Sequence, residues 1–238
     1  MRNKLGVVVP CFNELASLPR LFTILKSPSL STVDFLLVDN GSFDGSDKWF
    51  QRQAYPKNIG FVRLEKNLGY GNGVLSGLRL LHNPFIGWTH ADLQANPQDL
   101  ILFLPYLSGH PVFLKGERTG RPILDRFFTG GMSVLVSLLF RSRFTDINGQ
   151  PTIFSREMFE YWNNPPLDFG LDLFAFISAK RSQAPVIRVA VRFGRRIYGE
   201  SKWNFGWKSR FKFIRRTIRL AYSLYRGGPS IASSSSRE

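Results

Sequence analysis

Short apolar runs rich in β-branched and aromatic residues recur along the first half of this chain. Each ends in a polar cluster, and segments of helical periodicity separate them. Residues 5–9 stop at Pro10, residues 35–38 at Asp39-Asn40-Gly41-Ser42, and residues 85–89 at His90-Ala91-Asp92; residues 61–64 form a further run. A strand covered on both faces has to be apolar throughout, so such runs predict buried strands. Between them, Leu18, Leu21, Phe22 and Leu25 share a helical stripe, Ser46 can cap a helix through Trp49 and Phe50, and residues 74–81 and 97–107 read as helices. Residues 112–114 supply a fifth strand. The order predicts an α/β fold with a mostly parallel central sheet flanked by helices. Ligands of such sheets bind beyond the carboxyl ends of the strands. Asn13-Glu14, Asp39-Asn40 and His90-Ala91-Asp92 all fall at such ends.

The second half is less regular. Residues 126–140 and 168–180 read as helices, 186–193 as an alternating strand, and 207–226 as an amphipathic helix. In that last helix Phe211, Ile214, Ile218, Tyr222 and Tyr225 form one stripe, flanked by Lys208, Lys212, Arg215, Arg216 and Arg219. Residues 227–238 are rich in Gly, Pro and Ser and read as a disordered tail. The net charge of +15 is concentrated late: residues 180–226 carry fourteen Lys or Arg against one acid, Glu200. Such a segment suits an anionic partner. The single cysteine, Cys11, excludes an internal disulfide and a multi-thiolate metal site, and is compatible with a reducing compartment. The apolar run near the start is too short for a secretory signal, and no run reaches the roughly 18 residues of a membrane span.

Several of these residues can do chemistry. Asp92 and Gln94 alternate after a buried strand, so on an extended segment both side chains point one way and can share a Mg2+ or Mn2+ ion with donor phosphates. Asp39 can accept hydrogen bonds from a base or ribose, or cap the loop that follows it. Gly69, Gly71 and Gly73 precede a helix and can let backbone approach a nucleotide. Their spacing is not that of a dinucleotide-binding loop, and there is no P-loop.

Taken in order, the polar segments resemble motifs of the family-2 glycosyltransferases of the GT-A fold, within them the polyprenyl-phosphate (dolichol-phosphate mannosyltransferase-like) branch. The resemblance is carried by Val8-Val-Pro-Cys-Phe-Asn-Glu14, Val38-Asp-Asn-Gly-Ser-Phe-Asp-Gly-Ser46 and Asn67-Leu-Gly-Tyr-Gly-Asn-Gly73. It continues in His90-Ala-Asp-Leu-Gln94 at the place of the D-x-D metal motif, Asp146-Ile-Asn-Gly-Gln-Pro-Thr-Ile-Phe-Ser-Arg156, and Arg196-Ile-Tyr-Gly-Glu-Ser-Lys202. It covers about residues 5–205 and implies a GT-A nucleotide-diphospho-sugar transferase domain over 1–205. Residues 206–226 then form a basic membrane-surface helix.

The resemblance implies a nucleoside pocket of Pro10, Phe12, Glu14, Asp39, Asn67 and Gly71, with a metal ion on Asp92 and Gln94. Arg118, Arg126, Arg196, Ser201 and Lys202 would meet phosphates of donor or acceptor; guanidinium forks suit phosphate oxygens. His90 departs from the D-x-D motif and leaves the metal open: imidazole suits Mn2+ better than Mg2+, and the ring can instead orient Asp92.

The expected reaction moves a hexose from a GDP- or UDP-sugar to a polyprenyl phosphate, with inversion. The enzyme would be cytoplasmic and peripheral on the inner membrane face, its basic helix on the anionic surface. A sugar hydroxyl of a cell-surface glycan or lipopolysaccharide is the alternative acceptor; Asp172, or else Asp146, would then serve as base. A nucleic-acid partner would leave Glu14, Asp39 and Asp92 unexplained, since acids on the binding face repel phosphates. An inactive nucleotide-binding relative is the reading that His90 keeps open.

Overall fold

The structure, a computed structural model, describes residues 3–107, 111–120, 123–194, 196–198 and 206–227, with 123–129 and 206–213 described by their backbone alone. Its centre is a seven-stranded sheet of β1 (Leu5–Cys11), β2 (Val33–Asp39), β3 (Ile59–Arg63), β4 (Phe85–Trp88), β5 (Phe113–Thr119), β6 (Thr152–Ser155) and β7 (Val186–Arg192), in the order β3-β2-β1-β4-β6-β5-β7. Pairs β1–β2, β1–β4, β2–β3 and β5–β7 are parallel; β6 runs antiparallel between β4 and β5. The expected mostly parallel sheet is present. Sequence reading missed β6, which is four residues long, buried throughout and without alternation.

Alternation along β1 explains why the sheet is covered twice. Leu5, Val7, Val9 and Cys11 join one apolar cluster, under α1 (Leu18–Leu25), α2 (Ser46–Gln51) and the 3-10 segment Pro97–Tyr106. Val8 joins the other, with α3 (Tyr70–Leu80), α4 (Ile123–Phe140), α6 (Gly170–Arg181) and α7 (Gly206–Gly227). The short α5 (Arg156–Glu160) follows β6. A Cβ at Gly77 would lie 2.6 Å from Val8 Cγ1, so glycine there lets α3 reach the sheet.

Local details differ from the sequence reading for identifiable reasons. Gly45, at φ 92°, takes the cap position of α2, and Ser46 becomes the first helical residue. Segment Pro97–Tyr106 is 3-10 rather than α; it carries Pro105 inside, and Asn96 caps it by accepting from Gln98 N at 3.1 Å. In α7 Leu220, Ala221 and Leu224 pack on the domain and Tyr225, though half exposed, meets Phe140 of α4 edge-on at 5.9 Å, whereas Ile218 and Tyr222 of the expected stripe are exposed. The helix therefore has two apolar faces, one turned inward and one outward.

Among the described residues, one ion pair is buried in the core. Lys115 on β5 is fully buried and Asp172 on α6 is 1% exposed; Nζ lies 3.5 Å from Asp172 Oδ1 and donates to Thr152 Oγ1 at 2.9 Å. Gln150 Nε2 donates to the same Asp172 oxygen at 2.7 Å. Burial pushes the Lys115 ammonium down to about 8, against the pull of Asp172.

Two predictions follow from this pair. Asp172→Asn strands a buried ammonium and should cost about 3–5 kcal/mol in a urea melt, most of it recovered when Lys115→Met and Asp172→Leu are combined. Unchanged stability in the single variant would show the pair to be unimportant. The folded pKa of Lys115 lies below the unfolded value of 10.5, so the unfolded chain holds this proton more tightly. The penalty is complete below about pH 8 and is relieved as the pH rises towards 10.5. Wild type should gain stability relative to Lys115→Met between pH 8 and 10.5; parallel denaturation curves for the two proteins would contradict this.

Candidate active site

Parallel strands β1, β2 and β4 deliver their following loops to one edge of the sheet, where those loops bind one another. Asn13, at φ 53°, turns the chain out of β1. Its N–H donates to Ser42 Oγ at 2.9 Å, its side-chain oxygen accepts from Phe43 N at 3.0 Å, and Leu15 N donates to Asp44 Oδ2 at 3.0 Å. Half-buried Pro10 lies in register with Val38, and Phe12 meets the exposed ring of Phe43 edge-on at 5.8 Å. Asn40 Nδ2 donates to Gly69 O at 2.9 Å and to Asn67 Oδ1 at 3.3 Å, which joins the third motif to the second.

Asp39 closes β2 and is fully buried. Its Oδ1 accepts from Ser42 N at 2.9 Å, so it caps the loop that follows, the second of the two roles read for it. Its Oδ2 has no hydrogen-bond donor among the described residues and lies 3.7 Å from Arg63 Nε. Arg63, at the end of β3, escaped the sequence reading because nothing in its local pattern separates it from a surface arginine.

The metal motif meets the late motif directly. Arg196 bonds Glu14 Oε1 through NH2, approaches Asp92 Oδ2 to 3.7 Å through NH1, and donates from Nε to Tyr198 O at 2.8 Å. The three side chains are 16–18% exposed. Burial pushes the Glu14 carboxyl above its usual range, against the pull of Arg196. Asp92 Oδ1 accepts from Gln94 N at 3.1 Å. Gln94 does not point with Asp92: Leu93 stands at φ 60°, which breaks the strand alternation, and Gln94 Nε2 donates instead to Gly194 O at 3.3 Å. Gly194 N donates back to Gln94 O at 2.8 Å, and Ala95 bridges Phe193.

Other expected residues have different surroundings from those imagined. Gly71 does not open the backbone to a nucleotide; a Cβ there would fall 2.4 Å from Pro166 O, so it accommodates the chain's own 166–168 loop. Asp172 is buried on Lys115 and Gln150 and is not presented as a base. Asp146 holds Arg118, accepting from its backbone N at 2.8 Å and its Nε at 2.9 Å, while the Phe193 ring lies 5.1 Å from the guanidinium. Arg118 is thus already paired, and Asp146 is its partner rather than a free base. Arg126 lies on α4 with its side chain outside the described residues, as are Ser201 and Lys202. His90 packs its ring 5.4 Å from Tyr70, which stacks on Phe169 at 4.6 Å.

A cavity of about 720 Å3 opens between α4 and the 141–146 loop, lined by Arg118, Ser133, Val134, Leu138, Arg143 and Phe144 among others. No group of three or more His, Cys, Asp or Glu able to hold a metal occurs among the described residues. The donor set nevertheless fits a hard cation whose other ligands come from a substrate: Asp92 gives carboxylate oxygen beside a second acid, Glu14.

Comparisons with known proteins bear on the family and the fold. Over 103 residues the chain is 31% identical to an undecaprenyl-phosphate 4-deoxy-4-formamido-L-arabinose transferase of Proteus mirabilis, a match covering 41% of this chain and 32% of the relative. The chain thus spans about a third of the length of the curated relatives it matches. Among solved structures, glucosyl-3-phosphoglycerate synthase from Mycobacterium tuberculosis, in complex with Mn2+, UDP-glucose and phosphoglyceric acid, superposes with a TM-score of 0.70 at 18% identity over 94% of this chain and 80% of that one. A mannosyltransferase from Pyrobaculum calidifontis, in complex with GDP-mannose and Mn2+, gives 0.62 at 16% identity over 96% and 71%. The fold is that of the GT-A glycosyltransferases. With the glycosyl transferase family 2 model matching residues 6–166 of 238, the chain belongs to that family.

Proposed function

We propose that this enzyme moves a hexose from a GDP- or UDP-sugar to a polyprenyl phosphate at a membrane surface, with inversion and with Mn2+ or Mg2+ on the donor diphosphate. The observation that carries the donor reading is the meeting of Glu14, Asp92 and Arg196, residues of three motifs far apart in sequence, at one edge of the sheet. The Mn2+ complexes of the two solved enzymes support the cation, and their UDP-glucose and GDP-mannose leave either base open.

In this mechanism Asp92 would hold the cation, which would supply positive charge against the departing nucleoside diphosphate. Pro10, Phe12 and the Asp39 loop bound the nucleoside. Arg196 turns its fork to the phosphate oxygens, with Arg126, Ser201 and Lys202 as further phosphate ligands. The acceptor oxygen attacks the anomeric carbon from the face opposite the diphosphate, and the bond to the leaving phosphate breaks. A lipid phosphate is an anion at neutral pH and needs no general base. That agrees with the burial of Asp172 and the pairing of Asp146, and favours the phosphate over a sugar hydroxyl. The undecaprenyl-phosphate transferase of Proteus mirabilis supports the same acceptor class.

The cavity beside Arg118 offers both apolar wall and guanidinium to such an acceptor. Among the described residues no helix is long and apolar enough to cross a membrane. Contact with the bilayer falls instead to residues 206–226, whose outward face carries Ile218 and Tyr222 among Arg215, Arg219 and Arg226. This gives a peripheral enzyme on the cytoplasmic face.

Two outcomes are expected. Asp92→Asn should lower nucleoside diphosphate release by on the order of 100-fold or more in a panel of nucleotide sugars with Mn2+; full turnover would remove the cation from Asp92. In flotation with anionic liposomes, Arg215→Gln combined with Arg219→Gln should weaken binding about 30-fold, at about 1 kcal/mol per arginine. Equal recovery of wild type and variant with the vesicles would show that this face does not meet the bilayer.

A further inference from the structure

We propose that Arg196 is an internal cation that keeps the donor site closed on itself, and that a divalent metal ion enters by taking its place between Glu14 and Asp92. The inference rests on the donor-site reading above and adds an order of events to it. Two carboxylates, one from the loop after β1 and one from the loop after β4, face each other across a single guanidinium. Each is only 16% exposed, so solvent screens their repulsion poorly and a positive charge has to lie between them.

The two contacts are unequal. Arg196 is hydrogen-bonded to Glu14, whereas its NH1 remains 3.7 Å from Asp92 Oδ2, beyond hydrogen-bond distance. Asp92 is therefore the carboxylate more easily given up. Residues 193 and 194, upstream of the arginine, are fixed to the loop that carries Asp92, by reciprocal bonds between Gln94 and Gly194 and by the Ala95–Phe193 bridge. Exchange accordingly needs a swing of the long Arg196 side chain that gives up its bond to Glu14 and turns about, or breaks, its Nε bond to Tyr198 O.

Arg196 is thus a positioning residue before it is a phosphate ligand. A bare metal ion has to expel a guanidinium that has nowhere to go. A metal ion arriving with a nucleoside diphosphate brings phosphate oxygens to receive it. Metal and nucleotide should bind with strong mutual enhancement, and most of that enhancement should depend on Arg196.

Titration of MnCl2 followed by electron paramagnetic resonance tests this without any turnover. If the site is latched nine times in ten, Arg196→Gln should bind Mn2+ alone about tenfold more tightly than wild type. Added UDP or GDP should then tighten Mn2+ binding strongly in wild type and far less in the variant. A residue that only touched phosphate would leave the affinity for the bare ion unchanged, and a merely structural one would weaken it; either result, in a variant that melts like wild type, overturns the proposal. In unmodified enzyme, Mn2+ without nucleotide should speed tryptic cleavage after Arg196, detected by mass spectrometry, and an unaltered rate overturns it too. Absence of Mn2+ binding by both proteins, even with UDP or GDP present, overturns the donor-site reading along with it. Equal affinities for the bare ion overturn the latch alone.

Discussion

Strands that pair in parallel have to leave the sheet at the same edge, and each return trip needs a crossover along one of its faces. In this chain β1, β2, β3 and β4 obey that constraint, so the loops after residues 11, 39, 63 and 88 emerge side by side. The polar residues in those loops do not find one another by attraction across the protein. Backbone pairing delivers them, and short hydrogen bonds then set their angles: Asn13 to Ser42, Leu15 to Asp44, Asn40 to Gly69. Strand β6, reversed between β4 and β5, separates this half from the half that carries Arg118 and the cavity.

Once delivered, the charges have to be reconciled with burial. Asp172 has Lys115, Asp146 has Arg118, and Glu14 with Asp92 has Arg196. A half-buried carboxylate without a partner is costly. The pairs differ in what can replace them. Lys115 and Asp172 are sealed in the core, so the pair is architecture. Arg118 lines an open cavity while bound to Asp146, and Arg196 lies half-buried between two acids, so in the proposed mechanism these are the cations that would change partners on a phosphate.

Periodicity made the first half of the fold legible because buried parallel strands and amphipathic helices write different spacings into the sequence. It failed at Thr152–Ser155, where four buried residues carry no period at all. The order of polar motifs pointed to one edge of the sheet, and Glu14, Asp39 and Asp92 do lie at that edge. Side-chain direction was not legible. One positive φ at Leu93 turns Gln94 away from Asp92, and nothing local to a leucine announces it. The environment of Asp172 depends on Lys115, more than fifty positions away and fully buried, a contact no window could contain. Gly71 looked like room for a ligand and proved to be room for the 166–168 backbone. A sequence marks where a Cβ is absent without saying what fills the space.

The two faces of α7 tie the proposed membrane contact to the fold itself. Leu220, Ala221 and Leu224 pack into the same core cluster as Phe174 and Ile177 of α6, so the helix is held by the domain whether or not a bilayer is present. Arg181 of α6 donates to Leu224 O at 2.7 Å, and Arg216 bonds Asp168 in the segment that leads into α6. A helix already docked by one face pays no further folding entropy when its other face meets lipid, so Ile218 and Tyr222 can act as a preformed contact. The same docking would limit how the protein lies. With α7 fixed to α6 and α4, a bilayer on its outer face would hold a fixed orientation to the cavity beside Arg118, and under the proposed reaction an acceptor whose head is charged and whose tail stays in lipid would have to approach along that cavity rather than from bulk water.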